Sequence, residues 1–452
     1  MLLGTLAALV VVVVANNSMG ALAQPDIQRD FGIGPADVGW VVFGFSAAFA
    51  VATIVWGAIG RRFGVGRSLA IAIGLLSTAS LVAALAPDLP TLVGARVLQG
   101  AAAGAIPTLG TSLIGARFSG ARRAGALGVW IGSVGLGQAI GPLLGGALID
   151  VFDWHAVVGF SVLAAPSLLI VARGHRVPGD AQARVDVVGA VLIAGAVLST
   201  VFLLNRVPVV GLALPSLGAL ALLAITLAAL GWHIVRRNGR LLPREVILDP
   251  TYRRLAALGG IGMSSFLGTL VIMPIAVSLA QGRTGLDLGL LLVPMALTTA
   301  LVSPNNGRVT RRFGRRTTVR FALAMLALGA LSLALLGASA QGDLIALGMV
   351  PLGVGFSLLN PPLVDELMAR FEGPLVPVAV GSYNLFFFLG GSIGASLMTA
   401  LVQRDLHLPL LSDTLGSGYP TVLLLLALVP ALAALLAGRG GAPRLAAEPV
   451  AT

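Results

Sequence analysis

Long apolar stretches separated by short polar loops recur along the whole chain. Each stretch is about 20 residues long, the length that a helix needs to cross a hydrocarbon layer of about 30 Å. Of the 452 residues, 57% are hydrophobic and only 10% are charged, whereas a soluble domain averages about 25% charged residues. A transmembrane barrel would instead show short segments of alternating polarity. The pattern therefore predicts an all-α polytopic membrane protein.

Fourteen membrane-spanning helices follow from this pattern. The first ends in Ala21-Leu22-Ala23, which mimics a signal-peptide cleavage site, but no positive residue precedes it because the first charge is Asp26. We therefore interpret this segment as a retained span. The predicted spans are 5–23, 38–59, 68–86, 91–116, 124–149, 154–172, 187–205, 212–234, 255–280, 287–306, 318–339, 344–367, 376–402 and 420–437.

An eight-residue stretch occurs twice and indicates an internal duplication. The copy at 57–64 reads Gly-Ala-Ile-Gly-Arg-Arg-Phe-Gly, and the copy at 307–314 reads Gly-Arg-Val-Thr-Arg-Arg-Phe-Gly. An offset of about 250 residues also relates other segments, including Gly137–Leu144 and Gly390–Leu397. A repeat of this length determines the architecture of the whole chain.

The duplication extends across six helices on each side, while the spans 187–205 and 212–234 have no counterpart. We therefore expect two six-helix parallel repeats with an inserted helix pair, an arrangement in which transporters bind their substrate between the halves. The expected units are an N-terminal half at 1–173, the inserted pair with its linkers at 174–254, a C-terminal half at 255–437 and a disordered cytoplasmic tail at 438–452.

Positive charge is distributed unevenly between the loops. All 29 basic residues are arginine; 24 lie in alternate loops, four lie in the opposite loops and Arg96 lies within a span. Positive residues favour the cytoplasmic side, so we expect a multi-pass protein with both termini in the cytoplasm. The arginine-only, cysteine-free composition is typical of a GC-rich bacterial genome, which suggests the inner membrane of a bacterium. Topology accounts for the net charge of +11, and we expect no nucleic-acid partner.

The segment Gly132–Gly146 reads Gly-Ser-Val-Gly-Leu-Gly-Gln-Ala-Ile-Gly-Pro-Leu-Leu-Gly-Gly. Its small residues give a helix face on which another helix can pack closely, and its proline removes a backbone hydrogen bond. Helix packing alone is one explanation for this composition. The residues that define the motif are Gly132, Gly137, Gly141, Pro142, Gly145 and Gly146.

Together with the duplicated loop, this motif resembles the major facilitator superfamily, and more narrowly its fourteen-helix drug:proton antiporter branch. The resemblance covers nearly the whole chain. It implies a secondary active efflux transporter that exports hydrophobic small molecules or drugs by alternating access, with protons as the exchanged ion. The proton gradient would then be the energy source without any cofactor, and we expect a monomer in the lipid bilayer. An uncoupled facilitator, a lipid or metabolite exporter, and a non-transporting sensor or accessory subunit remain as alternatives.

Arg96 begins the motif Arg96–Gly104 in the fourth predicted helix. A charged side chain within a span costs at least about 2.5 kcal/mol, so it normally faces a partner or a polar cavity. The resemblance links the matching arginine to proton transfer. The alternative is that Arg96 lies near the helix end and extends its guanidinium to the membrane surface.

Few acidic residues are candidates for proton binding. Of the 18 acids, 16 lie in loops or at the ends of spans; Asp365 and Glu366 lie further inside a span, near its inner end, and we expect these two to serve in proton coupling or gating. In the first helix, the family pattern has an aspartate where this chain has Asn16, followed by Asn17. Asparagine does not titrate, so this position provides neither a proton carrier nor a carboxylate for binding cations.

Polar side chains within the spans are candidates for a substrate cavity. A cavity with few charges suits hydrophobic or weakly polar compounds. Interhelical hydrogen bonding is the alternative role for the two asparagines of the first helix. The cavity candidates are Asn16, Asn17, Gln99, Gln138, Ser265, Asn360, Tyr383 and Asn384.

The duplicated loop departs from the family pattern at one position. Where the family has an acid that latches the two halves together, both copies here have arginine, Arg61 and Arg311. We therefore expect Arg61 and Arg62 to pair with acids that have moved to Asp365, Glu366 or Glu372. The full set of predicted gating arginines is Arg61, Arg62, Arg311 and Arg312.

The sequence contains no residue pattern that indicates an enzyme. The chain has no cysteine, no lysine and only four histidines. It therefore has no thiol nucleophile and no phosphate-binding loop that ends in lysine, and its histidines do not fall in a metal-ligand pattern. We expect neither catalysis nor a bound metal.

Overall fold

The protein is described here from a computed structural model. The structure describes residues 2–118, 120–174, 179, 185–211, 213–237, 241–283, 285–336, 342–371, 375–403 and 419–437. The expected tail at 438–452 lies outside these residues. Helices make up nearly all of the described chain, and no strand occurs in it.

The helices of the described chain follow one another with short connections. They are α1 (Leu2–Met19), α2 (Gln24–Phe31), α3 (Pro35–Phe63), α4 (Val65–Ala84), α5 (Leu89–Ala103), α6 (Ala105–Arg117), α7 (Gly120–Val151), α8 (Trp154–Gly159), α9 (Ala165–Gly174), α10 (Val187–Val210), α11 (Leu214–Arg237), α12 (Arg244–Ile247), α13 (Pro250–Gln281), α14 (Gly285–Val302), α15 (Asn306–Phe313), α16 (Arg315–Leu336), α17 (Gly342–Arg370), α18 (Leu375–Gln403) and α19 (Tyr419–Leu436), with 3-10 turns at Phe160–Ala164 and Ser303–Asn305.

Fourteen helical segments within the described residues are long and apolar enough to cross a membrane. Their number and positions confirm the predicted spans, but several spans are interrupted by turns or 3-10 segments that the sequence pattern did not predict. The first span ends at Met19, and a turn at 20–23 separates it from α2. The fourth span divides at Gly104 into α5 and α6, where a β-carbon would lie 2.7 Å from the carbonyl oxygen of Phe49. The break at Gly104 therefore coincides with a close approach of α5 to α3.

The two copies of the duplicated loop have the same backbone conformation. Gly64 joins α3 to α4 with φ 91° and ψ 138°, and Gly314 joins α15 to α16 with φ 82° and ψ 152°. Each glycine N–H closes the preceding helix, by hydrogen bonds of 3.0 Å to Gly60 and 2.9 Å to Thr310. Because only glycine adopts such dihedral angles at little cost, the repeated glycine reflects a repeated turn.

Helix contacts show the same duplication. Within the N-terminal half α1 packs on α7, and within the C-terminal half α13 packs on α18. Across the boundary, α3 packs on α18, and α14 packs on α7. The second membrane-spanning helix of each half thus contacts the fifth of the other. We call these two contacts the α3/α18 seam and the α7/α14 seam.

The inserted pair, α10 and α11, packs beside the α3/α18 seam, since α10 contacts both α3 and α18. Asp186 caps α10 by accepting the Gly189 N–H at 2.8 Å, and its carboxylate also lies 2.9 Å from His233 Nε2 of α11. At the other end of α10, Arg206 pairs with Asp37 of α3 at 3.3 Å. The pair is therefore fixed to the N-terminal half by a polar contact.

The two ends of the helix bundle differ in charge. We call the end that carries the two duplicated loops the arginine-rich end, and the end where α7 finishes and α14 begins the arginine-poor end. The exposed arginines of the second loop and its continuation form a dense group: Arg308, Arg311, Arg312, Arg315 and Arg316.

Replacement of the repeated glycines tests whether the two turns are equivalent. We expect Gly64→Ala and Gly314→Ala each to lower the free energy of unfolding by about 1–3 kcal/mol, because alanine is strained at these dihedral angles. The measurement is thermal or denaturant unfolding of the purified protein in detergent. Gly74→Ala is the control, since Gly74 is helical with open space around its β-carbon position. Equal stability of all three variants would contradict the assignment.

Candidate functional site

Arg96 lies inside the N-terminal half and is only 1% exposed. Its Nε donates to the Val41 carbonyl of α3 at 3.1 Å, and its Nη1 donates to Asn16 Oδ1 of α1 at 3.3 Å and to Gln99 Oε1 at 3.0 Å. The alternative in which the guanidinium extends to the membrane surface is therefore wrong. A buried guanidinium needs acceptors from the protein, and three helices provide them.

The partners of Arg96 are bonded in turn. Asn16 Nδ2 donates to the Val157 carbonyl at 2.7 Å, and Gln99 Nε2 donates to Ser80 Oγ at 2.7 Å and to the Val158 carbonyl at 2.8 Å. We call Arg96, Asn16, Gln99 and Ser80 the arginine network. It connects α1, α3, α4, α5 and α8, which belong to five of the six spans of the N-terminal half.

All hydrogen-bond acceptors of Arg96 are neutral. The ring of Phe45 covers the guanidinium, with 4.5 Å between the guanidinium carbon and the ring centroid. The Nη2 atom of Arg96 lies at the end of α1, where a β-carbon on Gly20 would come within 3.2 Å of this nitrogen. The C-terminus of a helix carries a partial negative charge, so the end of α1 compensates part of the positive charge. Asn16 accepts a hydrogen bond from Arg96 and donates one to the Val157 carbonyl, so its role here is hydrogen bonding between helices.

The other residues of the Arg96–Gly104 motif bring α5 against α3. A β-carbon on Gly100 would collide with the Phe45 carbonyl, and one on Gly104 would lie 2.8 Å from the Ala52 β-carbon. The two glycines therefore let the backbones approach, which places the Val41 carbonyl within reach of Arg96.

The glycine motif of α7 faces two different helices. Towards α1, a β-carbon on Gly137 would lie 2.9 Å from the Val11 carbonyl, one on Gly141 2.8 Å from the Ser18 β-carbon, and one on Gly145 would collide with Met19. This face packs within the N-terminal half, as expected for a small-residue surface. Gly132, at the start of the motif, is exposed and would accept a β-carbon without contact.

The remaining motif residues face the other half of the protein. A β-carbon on Gly146 would lie 2.6 Å from Leu286 Cα, and one on Gly289 would collide with the Pro142 carbonyl. The backbones of α7 and α14 are therefore in direct contact along the α7/α14 seam. The motif joins the packing within one half to the contact between halves.

Aromatic rings cross the α3/α18 seam. Phe45 stacks on Phe49, whose ring centroid lies 4.7 Å from that of Phe388 in an edge-on arrangement. Phe388 contacts Phe387, which stacks on Tyr383. We call these five rings the aromatic row. It leads from the guanidinium of Arg96 in one half to Tyr383 in the other.

The structure divides the predicted cavity residues into four groups. Asn16 and Gln99 belong to the arginine network, and Tyr383 donates to Asn360 Oδ1 at 2.9 Å. Ser265 donates to the Leu426 carbonyl at 2.9 Å and is buried between α13 and α19. The amides that make no hydrogen bond within the described part of the chain are those of Asn17, which is exposed, and of Gln138 and Asn384, which are half-buried.

An unpaired amide within a span is better solvated by water than by lipid. Asn17, Gln138 and Asn384 are therefore the residues that would gain most from a water-filled space between the halves. Side chains that are already bonded within one half, such as Ser265, gain nothing from such a space.

Asp365 and Glu366 do not form the predicted ion pairs with the duplicated loop within the described residues. Asp365 is exposed and Glu366 half-buried, and neither forms an ion pair within the described part of the chain; the same is true of Arg61. Glu372 lies outside the described residues. Asp365 and Glu366 lie near the C-terminal end of α17, where water can solvate them.

An ion pair at the arginine-rich end joins Arg370 of α17 to Asp249, at 2.7 Å between Nη2 and Oδ2. Partial burial raises the pKa of Asp249, but hydrogen bonds from Arg370 and from the Tyr252 N–H outweigh it and hold the pKa below its ordinary value. Asp249 thereby caps α13 and fixes the start of the C-terminal half to α17. No group of three or more potential metal-ligating side chains occurs among the described residues.

Sequence reasoning found Arg96, Asn16 and Gln99 but missed Ser80, Phe45 and the Val41 carbonyl. A serine or phenylalanine in an apolar helix carries no signal of its own. Only the buried arginine indicated that partners must exist on neighbouring helices.

Comparisons with known proteins identify the fold. A family model described as Major Facilitator Superfamily matches residues 5–395. The tetracenomycin C resistance and export protein of Streptomyces glaucescens is 27% identical over 401 residues, covering 87% of this chain and 74% of that protein. The multidrug resistance protein Stp of Mycobacterium tuberculosis is 26% identical over 385 residues, covering 84% and 72%. The drug efflux pump JefA of the same organism is 26% identical over 388 residues, covering 84% and 76%.

Solved structures agree on the architecture. A POT family transporter in complex with a thioalcohol-conjugated peptide superposes with a TM-score of 0.72 at 14% sequence identity, covering 96% of this chain and 94% of that one. At this identity the likeness concerns the fold alone.

The arginine network predicts a large effect of one substitution. We expect Arg96→Gln to lower the free energy of unfolding by about 3 kcal/mol, because it leaves buried acceptors without donors. Arg206→Gln, which breaks a partly exposed ion pair between α10 and α3, should cost less than about 1 kcal/mol. Both are measured by denaturant unfolding in detergent. An Arg96→Gln protein as stable as the wild type would show that the network does not hold the half together.

Proposed function

The chain belongs to the major facilitator superfamily, and on this premise we propose that it is a secondary active exporter of hydrophobic small molecules. The relatives reported above are described as drug and antibiotic resistance or export proteins. Export by alternating access, in which two halves rock about a central site, is the function that this fold supports best. We propose that proton antiport drives it and that no cofactor takes part.

The observation that carries the proposal is the direct backbone contact along the α7/α14 seam. Gly146 of one half and Gly289 of the other allow that contact only because neither has a side chain. At these backbone contacts the two helices can separate without breaking a hydrogen bond, since the surfaces that part are backbone edges and small apolar atoms. Two halves that must open and close against each other need such a surface.

The charge distribution supports a substrate of low polarity. Within the described spans, acids lie only near the helix ends, and the one deeply buried charge is Arg96, whose acceptors are neutral. A buried carboxylate is the group that would select a cationic compound. The aromatic row and the amides of Asn17, Gln138 and Asn384 instead suit flat apolar molecules with a few hydrogen-bonding groups.

We propose that the arginine-rich end faces the cytoplasm, so that both termini are cytoplasmic in a bacterial inner membrane. Export would then proceed from the arginine-rich end to the arginine-poor end. The two halves lie in one chain, and we propose that a monomer is sufficient for transport.

Everted membrane vesicles test the transport function. We expect vesicles that contain the protein to accumulate a neutral polycyclic aromatic dye when their lumen is made acidic, and to lose it when a protonophore dissipates the gradient. Vesicles without the protein are the control. Accumulation that ignores the protonophore would contradict proton coupling, and no protein-dependent flux of any dye in a broad panel would favour a sensor or accessory subunit.

The same fold also allows a second candidate, an uncoupled facilitator or a lipid or metabolite exporter. Asn16 favours it, because its amide is bonded to Arg96 and Val157 and does not titrate. In this case the substrate would equilibrate across the membrane independently of the pH gradient.

Substitution of Asp365 tests whether proton coupling, where it occurs, depends on this residue. If protons are carried through this residue, Asp365→Asn should reduce pH-driven accumulation at least about tenfold while substrate exchange at equal pH persists, because the amide cannot release a proton. Glu245→Gln is the matched control, an exposed acid at the same end. Unchanged pH-driven accumulation in Asp365→Asn would show that coupling does not depend on Asp365.

A further inference from the structure

Asp150 lies at the end of α7 and contacts the beginning of α14, which belongs to the other half. Its Oδ2 accepts the backbone N–H of Leu286 at 3.0 Å. The two residues are 136 positions apart in the chain. This hydrogen bond therefore joins the N-terminal half to the C-terminal half at the arginine-poor end.

The backbone conformation of Gly285 and the space beside it allow this contact. It has φ +54°, in the left-handed region that favours glycine. A β-carbon at this position would collide with Oδ1 of Asp150. Both the backbone conformation and the space at Gly285 thus depend on the absence of a side chain, which lets the carboxylate lie against the first turn of α14.

The contact has the chemistry of a helix cap. The first N–H groups of a helix have no acceptor within the helix, and the N-terminus carries a partial positive charge that favours a carboxylate. The other aspartate caps of the described chain act on their own helices: Asp88 on Thr91, Asp153 on His155, Asp186 on Gly189 and Asp249 on Tyr252. Asp150 is the one that caps a helix of the opposite half.

The position of the cap gives it a role in the movement of the halves. Directly below it along the α7/α14 seam lie the backbone contacts of Gly146 with Leu286 and of Pro142 with Gly289. Asp150 itself is exposed, so it forms the last contact of the seam before the surface. When the halves separate at this end, the α14 N-terminus loses its cap.

We propose that Asp150 is a positioning residue for transport, which holds the arginine-poor end of the α7/α14 seam closed by capping α14 across the boundary between the halves. The inference rests on the proposed alternating-access function, because only then must this seam open. In that cycle, release of substrate at the arginine-poor end requires the hydrogen bond from Leu286 to Asp150 to break.

A cysteine reporter measures opening of the seam directly, because the chain contains no cysteine of its own. Ala296 is fully buried and lies on the face of α14 that also carries Gly285 and Gly289. The experiment follows the rate at which a water-soluble maleimide labels Ala296→Cys in the full chain, purified into lipid nanodiscs that leave both membrane faces accessible. No substrate is needed, so the result is independent of whether the proposed compounds are transported.

We expect Asp150→Ala to raise the labelling rate about fivefold, which corresponds to the roughly 1 kcal/mol that a helix cap contributes. Asp150→Asn should leave the rate within about twofold of the wild type, because asparagine caps helices as well as aspartate does. Asp287→Ala is the charge-matched control, an exposed acid in the first turn of α14 that should not alter the rate.

A second reporter separates seam opening from general loosening. Ala330→Cys, fully buried within the C-terminal half on α16, should label at the same slow rate in all variants. The proposal is overturned if Asp150→Ala leaves the labelling of Ala296→Cys unchanged, if it accelerates both reporters equally, or if Asp150→Asn behaves like Asp150→Ala.

Discussion

A guanidinium inside a membrane bundle must obtain its hydrogen-bond acceptors from the protein, and the N-terminal half is arranged around this requirement. Arg96 takes its acceptors from α1, α3 and its own helix, and these partners bind α4 and α8 in turn. Every acceptor is a carboxamide or a backbone carbonyl, a group that does not titrate. The network therefore makes the half a rigid unit, which is what one body of a rocking mechanism must be.

The two halves share their backbone geometry, but the arginine network occurs only in the N-terminal half among the described residues. Gly64 and Gly314 repeat the same turn, and the second helix of each half contacts the fifth of the other. The offset of the repeat places the counterpart of Arg96 near Ala346, an apolar position. In its place the C-terminal half is connected by the bond from Tyr383 to Asn360 and by the stacked rings of Phe266 and Phe356, 3.9 Å apart. Two bodies of the same shape can thus be stabilised by different interactions.

The fold was largely predictable from the sequence, while the site was predictable only in part. Apolar length reports directly on membrane spans, and a repeated glycine reports on a repeated turn. Hydrogen-bond partners depend on which helices become neighbours, so the contact of Arg96 with Asn16 was not evident, although each residue stood out alone. Nothing in the sequence marks Asp150 as a contact between the halves, because its partner is a backbone N–H with no sequence signature. The position of Asp365 near the end of a span made it a candidate partner of Arg61 or Arg62, yet within the described chain it pairs with no arginine.

The two seams between the halves differ in construction, and this difference constrains how they move. Along the α7/α14 seam the backbones touch, so the helices cannot slide past each other and must separate. Along the α3/α18 seam side chains interdigitate, with Phe49 against Phe388, and α10 packs on both helices. The pair of Arg206 with Asp37 and the ring contact of Phe202 with Trp40 hold α10 to α3. Because α10 is fixed to the N-terminal half and also packs on α18, it bridges the α3/α18 seam, and α18 must shift against α10 whenever this seam opens.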